Sequence, residues 1–185
     1  MANEKRRVVL DLAVTLDGFI EGPQGEIDWC IMDPDMDFTA FLASIDTILY
    51  GRKSYELSES LKPTANTNKE EQVLWQLMET KEKYVFSRTH DNSHDNVIYV
   101  NDSIPQVIDR IKAQPGKDLW LYGGAELISA FVNYELIDEY RLSIHPVVLG
   151  SGKALFGELE QRLDLVLKST HVSQSGVVQL IYGTA

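Results

Sequence analysis

The chain alternates between short apolar segments and segments with apolar residues at helical spacing. Short runs rich in β-branched and aromatic residues predict strands, at residues 7–14, 47–50, 83–87, 96–100, 118–123, 139–150, 164–170 and 177–183. Apolar residues that recur on one helical face predict helices, at residues 35–44, 52–58, 70–81, 104–113 and 124–132. Strands and helices therefore alternate through the middle of the chain, and strands alone complete it.

This order of elements predicts an α/β fold. Alternating strands and helices favour a parallel sheet with helices on both faces, and the last two strands favour an antiparallel hairpin at one edge. The sequence shows no internal repeat or low-complexity segment, so residues 1–185 are predicted to form a single domain. Residues 15–29 are rich in glycine and predict a long irregular loop, and loops of that length are often functional.

Composition narrows the possible functions. The 185 residues are 44% hydrophobic and 24% charged, which is typical of a folded globular protein. The net charge of −11 at pH 7 would repel nucleic acids and anionic membranes, so we expect neither as a partner. Cys30 is the single cysteine, and the sequence has neither a signal peptide nor a transmembrane run, so we expect a cytoplasmic protein.

The first turn with candidate ligand chemistry is Gly51-Arg52-Lys53-Ser54, which joins a predicted strand to a predicted helix. In an open α/β sheet, ligands bind outside the carboxyl ends of the strands, where helices begin. Backbone N–H groups, the helix dipole and two cations would together bind a phosphate. The alternative is a glycine turn followed by solvated charges, and this turn alone leaves the two interpretations even.

Two further turns follow predicted strands. Ser87, Arg88 and Thr89 place a guanidinium between two hydroxyls, a set that can hold the phosphate monoester that distinguishes NADP from NAD, although such a turn is common. Gly123 and Gly124 join a buried strand to a helix, and paired glycines allow a ligand to approach bare N–H groups closely. The alternative there is a tight turn that needs one positive φ angle.

Five segments, taken in order, resemble a known family. They are LAVTLDGFIEG with IDW, DTILYGRKSYE, KYVFSRT, LWLYGGAEL and DEYRLSIHPVVLGSGKALF, and together they cover nearly the whole chain. They resemble the dihydrofolate reductase-like fold, especially the reductase domain of the bacterial riboflavin-pathway deaminase-reductase. The resemblance implies a three-layer fold with a mixed, mainly parallel eight-stranded sheet that binds NADPH across its central cleft.

The resemblance also implies a role for each turn in binding NADPH. The first turn would contact the cofactor phosphates, the second the adenosine end and its 2′-phosphate, and the third, through a cis Gly123–Gly124 peptide, the pyrophosphate. By the same resemblance Ala13 and Ile20 match positions that line the nicotinamide. The cofactor-binding residues expected are therefore Ala13, Ile20, Gly51, Arg52, Lys53, Ser54, Ser87, Arg88, Thr89, Gly123, Gly124, Ala125, Glu126 and Leu127.

The substrate side is expected to include one carboxyl group. Folate reductases carry an acidic residue at the start of the helix before the first turn, and counting back reaches Asp35, the predicted catalytic residue. Asp33 and Asp37 are alternatives, and a helix-capping role for these aspartates is about equally favoured. By the same resemblance Trp29, Phe38 and Ser143 are expected to contact substrate.

The resemblance implies an NADPH-dependent reductase acting on a small-molecule substrate with a pyrimidine or pterin-like ring, most closely of the aminouracil reductase type. Dihydrofolate reduction, a non-catalytic NADP-binding protein and a flavin-binding redox protein remain alternatives. Relatives of this type are often dimers, so a homodimer is expected. Lys153 is either a cation for a substrate phosphate or an exposed loop lysine. His90, His94 and His145 lack metal-ligand spacing, so no metal is expected.

Overall fold

A computed structural model describes residues 5–33, 35–64, 67–89, 93, 95–157 and 159–184. The strands are β1 Val8–Thr15, β2 Phe19–Glu21, β3 Ile45–Gly51, β4 Glu82–Phe86, β5 Val97–Val100, β6 Asp118–Gly123, β7 Glu139–His145, β8 Lys153–Ala154, β9 Leu165–Val172 and β10 Val178–Thr184. The helices are α1 Phe38–Ser44, α2 Arg52–Ser60, α3 Lys69–Glu79, α4 Ile104–Lys112 and α5 Ala125–Asn133.

Eight of these strands form one sheet, in the order β5-β4-β3-β6-β1-β7-β10-β9. Every neighbouring pair from β5 to β7 is parallel, and β10 is antiparallel to both β7 and β9. The predicted mainly parallel eight-stranded sheet with an antiparallel C-terminal hairpin is therefore confirmed. Of the helices in the described residues, none is long and apolar enough to cross a membrane.

Most predicted boundaries lie within two residues of those in the structure, and three features differ more. Helix α1 begins at Phe38 and not at Asp35, because the Asp37 carboxylate accepts a hydrogen bond from the Ala40 N–H (2.8 Å) and caps the helix. Strand β7 ends at His145, not at residue 150, because the proline that follows has no N–H to continue the ladder. The predicted irregular loop contains β2, which pairs with β8 in a separate two-stranded sheet.

Two hydrophobic layers pack on opposite faces of the main sheet. One layer joins α4 and α5 to the sheet through side chains that include Val107, Ile108, Ile128 and Phe131. The other joins α1, α2 and α3 through side chains that include Phe41, Leu42, Tyr55 and Met78. Successive strand residues point to opposite faces, so on β1 Val8 and Leu10 belong to the first layer and Val9 to the second. The helices therefore lie on both faces, as predicted.

A buried arginine links strand β1 to the elements beside it. Only 4% of the Arg6 side chain is exposed, and its guanidinium donates to the Lys117 carbonyl (2.6 Å) and the Thr47 hydroxyl (2.7 Å) and pairs with Asp46. The neighbouring Arg7 pairs with Asp118 and Glu139, but 49% of its side chain is exposed. Both arginines form ion pairs, but of the two side chains only that of Arg6 is buried.

We predict that Arg6→Met lowers the free energy of unfolding by about 3 kcal/mol, because it leaves buried oxygen atoms without donors. Arg7→Met removes a mostly solvated cation and should cost about 1 kcal/mol or less. Urea denaturation of the two variants at one pH provides the comparison. Equal losses of unfolding free energy in the two variants would show that the burial of Arg6 does not increase the stability that its hydrogen bonds provide.

Candidate functional site

A cleft of about 1240 Å³ opens on the face of the sheet that carries α1, α2 and α3. These helices cover the β3 and β6 part of that face, and beyond them the same face of β1 and β7 carries polar side chains. Asp11 and Ala13 follow Val9 on β1, and they pair in register with Arg141 and Ser143 on β7. The cleft is therefore open where the second hydrophobic layer ends.

The three predicted ligand-binding turns follow three adjacent parallel strands, β4, β3 and β6. Gly51 at the end of β3 pairs with Phe86 at the end of β4, and Tyr50 pairs with Gly123 at the end of β6. The strands therefore end at nearly the same level, and the turns meet at one edge of the sheet.

Two helix N-termini meet at this edge. A Cβ atom added to Gly51 would lie 3.5 Å from the Gly123 carbonyl oxygen and 3.6 Å from the Gly124 nitrogen. Gly51 and Gly124 are the N-cap residues of α2 and α5, and neither helix has a side-chain cap. The N–H groups of both first turns are thus available to an anion, and the cis Gly123–Gly124 peptide, as predicted, lies between them.

Side chains around these N-termini differ in their availability. Ser54 lies at the cleft, with its hydroxyl oxygen 3.0 Å from the position of a Cβ on Gly124. Arg52 is bound by Glu56 one helical turn away (2.8 and 2.9 Å), and Lys53 is exposed. The positive charge that Arg52 and Lys53 bring to this turn is therefore smaller than the sequence suggests, because Glu56 balances the charge of Arg52.

The first turn of α5 carries the three other predicted pyrophosphate contacts. Leu127 is buried in the core, Glu126 is exposed and Ala125 is half-buried. Because the Leu127 side chain packs inward, a cofactor would contact this turn through its backbone N–H groups, which is the role predicted for it.

The turn after β4 combines a buried and an exposed part. Ser87 is buried, its N–H donates to the Val100 carbonyl (2.9 Å), and its hydroxyl accepts from the Thr89 N–H (3.3 Å). Arg88 and Thr89 are exposed. A rigid serine thus holds the base of the turn, and the guanidinium extends into solvent where a phosphate could reach it.

The small β2–β8 sheet places Lys153 beside the Gly124 turn. The Lys153 ammonium lies 3.9 Å from the position of a Cβ on Gly124 and 3.6 Å from a Glu21 carboxylate oxygen. From the sequence, Lys153 was either a cation for a substrate phosphate or an exposed loop lysine. In the structure it is a cation next to the N-terminus of α5.

The three predicted substrate contacts, Trp29, Phe38 and Ser143, all line the cleft. The Trp29 ring meets His145 edge to face, with ring centroids 5.3 Å apart. The indole Nε1–H of Trp29 is buried and has no hydrogen-bond partner among the described residues. Its loop therefore presents one unpaired donor, which fits a ligand with an acceptor atom.

Ala13 and Ile20, expected beside the nicotinamide, also line the cleft. His145 is buried, and its ring nitrogens contact the carbonyls of Ser143 (2.9 Å) and Ile31 (3.4 Å). His90 and His94 lie outside the described residues. Among the residues that the structure describes, no group of three histidine, cysteine or acidic side chains could hold a metal ion.

The three aspartates considered for the catalytic role occupy different environments. Asp33 is buried and accepts hydrogen bonds from Ser173 and Ser175, which hold the pKa of its carboxyl below the usual range. Asp37 caps α1. Asp35 is exposed, accepts from the Gln174 N–H (3.2 Å) and is not among the residues that line the cleft. Its catalytic role remains a prediction.

Asp11 is a candidate that the sequence reasoning missed. It is half-buried on the floor of the cleft, and burial raises the pKa of its carboxyl to about 7, although the Arg141 charge acts in the opposite direction. The signal was visible in the sequence, as the single acidic residue inside the apolar segment 7–14. A charged residue within a central strand is rarely structural, because it carries a desolvation cost.

The family model described as RibD C-terminal domain matches residues 6–179. The Bacillus subtilis (strain 168) protein YyaP, which is named as uncharacterized, is 56% identical over 97% of this chain and 95% of its own.

Among solved structures, a Shewanella sp. PV-4 protein whose name assigns it to riboflavin biosynthesis has a TM-score of 0.81 and 24% identity, over 97% of this chain and 99% of its own. Dihydrofolate reductase from Enterococcus faecalis, complexed with NADP(H), has a TM-score of 0.64 and 14% identity, over 96% of both chains. At these identities the two structures support the fold alone.

The raised pKa of Asp11 predicts how stability depends on pH. The Asp11 carboxyl loses its proton near pH 3.8 in the unfolded state and near pH 7 in the folded state. The stability that protonated Asp11 contributes is therefore full below about pH 4 and is lost as the pH rises to about 7. Asp11→Asn has no charge to bury. Its free energy of unfolding should rise relative to the wild type between about pH 4.5 and about pH 8.

Denaturation curves at several pH values provide the measurement. The control is Asp109→Asn, which removes an equal charge from an exposed position on α4. A difference between Asp11→Asn and wild type that stays constant with pH would show that Asp11 titrates normally.

Proposed function

Because this chain belongs to the RibD C-terminal domain family, we propose that it is an NADPH-dependent reductase that transfers hydride to a pyrimidine or pterin-like substrate. The named possibility is the 5-amino-6-(5-phosphoribosylamino)uracil reductase reaction of riboflavin biosynthesis. One observation carries the proposal: a single edge of the sheet joins two uncapped helix N-termini to a cleft with aromatic and ionisable side chains.

The described residues fit a dinucleotide. The Gly51 and Gly124 turns would hold the pyrophosphate. Their backbones approach each other without side chains between them, and the first turns of α2 and α5 present N–H groups. Arg88 and Thr89 would hold the 2′-phosphate, with Ser87 as the base of that turn. Bound NADPH would supply a hydride to the carbon of a C=N or C=O group.

The substrate half of the cleft would hold the ring in a fixed orientation. Phe38 meets Trp120 edge to face, with centroids 5.4 Å apart, and Trp29 lies against His145. Ser143 offers a hydroxyl on β7, and Trp29 offers its unpaired N–H. These aromatic side chains would stack on a flat ring, while the polar atoms fix its edge.

The charge of the cleft bears on which ring is accepted. Among the described residues that line it, carboxylates outnumber cations, with Asp11, Glu21, Asp33, Asp37, Glu70 and Glu71 against Lys69 and Arg141. An anionic group on the substrate would be repelled by this lining, and Lys153 lies beside the Gly124 turn, where the cofactor pyrophosphate would bind. This balance favours a substrate without its phosphate, so both forms belong in an assay.

The homodimer also remains a proposal. Strand β9 lies at the edge of the main sheet, and nearly all of its residues are exposed, including Val166, Leu167 and Val172. An edge strand with unpaired backbone groups and apolar side chains is suited to pairing with a second copy of the chain.

We predict that Arg88→Gln weakens the binding of NADPH at least about tenfold and leaves the binding of NADH unchanged, because NADH has no 2′-phosphate. Calorimetric titration of both nucleotides provides the measurement. Arg162→Gln is the matched control, since Arg162 is an exposed arginine that pairs with Asp164 near β9. Equal weakening of NADPH and NADH would argue against a 2′-phosphate contact at Arg88.

A substrate panel tests the proposed reaction. NADPH oxidation is followed with aminouracil ribosyl phosphate, its dephosphorylated form and dihydrofolate. We expect turnover of an aminouracil, faster without the phosphate because the cleft lining is acidic. Absence of turnover with every compound, together with absence of thermal stabilisation by millimolar NADPH, would contradict the proposed function.

A further inference from the structure

The Asp11 carboxyl is an unpartnered acid on the floor of the cleft. Its carboxylate oxygens have no hydrogen bond or ion pair among the described residues; the bond from Trp120 Nε1 (2.9 Å) goes to the Asp11 backbone carbonyl. The carboxyl lines the cleft without a protein partner among these residues, so its oxygens are available to a ligand that enters there.

The neighbouring arginine does not neutralise it. Arg141 is the register partner of Asp11 on β7, but its Nε donates to Glu139 (2.5 Å) and its guanidinium lies over the Phe41 ring, 5.3 Å from the centroid. Glu139 and Phe41 thus orient the guanidinium, which makes no hydrogen bond to Asp11. The Arg141 charge still acts on Asp11 at a distance, without a hydrogen bond to fix the carboxyl.

The other ionisable groups around Asp11 come from several elements. Strand β7 contributes Arg141 and Glu139, and β6 contributes Tyr122. The remaining groups that line the cleft are Glu21, Cys30, Asp33, Asp37, Lys69, Glu70, Glu71 and His145. Helix α1 itself carries no ionisable side chain. Of these groups, Arg141 opposes the protonated form of Asp11 and Glu139 favours it, and burial of the carboxyl favours it most.

The position of Asp11 suits a proton donor. Asp11 and Ala13 share one face of β1 and lie about 7 Å apart along the strand. If Ala13 lines the nicotinamide as the resemblance implies, a ring stacked beside it would present its edge to Asp11. This argument rests on the proposed function.

We propose that Asp11 binds the edge of the ring substrate and supplies the proton that accompanies reduction. In this step the Asp11 O–H bond breaks and an N–H or O–H bond forms on the heteroatom of the reduced C=N or C=O group. Bound NADPH would supply the hydride to the carbon of that C=N or C=O group and would itself become NADP⁺, so one proton and one hydride reduce the group. Asp11 then regains its proton from water at the open cleft.

The three other aspartates are less suited to this role. The Asp33 carboxylate is held by two serine hydroxyls in its charged form, and Asp37 is engaged in capping α1. Asp35 is exposed and directed to the Gln174 N–H. An acid must be protonated near its working pH to donate, and burial raises the pKa of Asp11 to about 7.

The experiment compares Asp11→Asn and Asp11→Leu with the wild type. Asparagine keeps the shape and a hydrogen-bonding group but cannot donate this proton, whereas leucine removes both functions. Turnover of aminouracil ribosyl phosphate, its dephosphorylated form and dihydrofolate is measured from about pH 5.5 to about pH 8.5. Binding of 5,6-diaminouracil is measured by calorimetry, both to the protein alone and to the protein saturated with NADP⁺. Asp109→Asn serves as the control for charge.

We expect Asp11→Asn to lower kcat about 100- to 10,000-fold, with KM within about tenfold of wild type. The wild-type kcat/KM should fall above about pH 7, and Asp11→Asn should lose this dependence. Asp11→Leu should also weaken 5,6-diaminouracil at least about tenfold. Asp109→Asn should match the wild type.

Two results would overturn the proposal. One is an Asp11→Asn variant that keeps the kcat and the pH dependence of the wild type. The contradiction would be strongest if Asp35→Asn lost both the turnover and its pH dependence. The other is 5,6-diaminouracil binding that is absent in the wild type or unchanged in Asp11→Leu. Failure of the proposed function is distinct: NADPH would not bind and no ring would be reduced, while the diaminouracil titration would still decide whether Asp11 binds a ring.

Discussion

Parallel pairing of adjacent strands is the constraint on which the candidate site depends. Because β4, β3 and β6 are neighbours and run in one direction, their carboxyl ends reach the same edge. Three turns far apart in sequence therefore meet, and two of them begin helices whose N–H groups have no side-chain cap. A set of donors for an anion arises from strand order alone, which explains how so acidic a chain can offer a phosphate site.

The second constraint is the unequal covering of the two faces. Helices α4 and α5 bury the even-numbered face of β1, where Val8 and Leu10 belong to the core. On the other face the helical layer stops after Val9, and the next residues on that face are Asp11 and Ala13. The cleft is the uncovered part of a face that is otherwise core, so residues of the central strands form its floor, and Trp29 from the loop after β2 also lines it.

The sequence was informative wherever local patterns decide the structure. The sequence of strands and helices along the chain, the antiparallel hairpin and the three turns followed from apolar periodicity, glycine and a family resemblance. Positions such as Ser54, Gly124 and Ser143 do lie at the cleft. It was uninformative where distant partners decide. Pairing of β2 with β8 brings Lys153 to Gly124. Pairing of Arg52 with Glu56, by contrast, was readable at helical spacing and was overlooked.

Asp11 shows why a local anomaly needs a three-dimensional context. In sequence it is one polar residue in an apolar strand, which fits an edge position, a bulge or a site equally well. Only the sheet order places it on a central strand, between Trp120 on β6 and Arg141 on β7. There a carboxyl destabilises the fold when it is charged, and a neutral side chain of similar size would avoid that cost. A costly carboxyl on the floor of the cleft fits the proton-donor role proposed for it, since active sites commonly retain groups that lower stability.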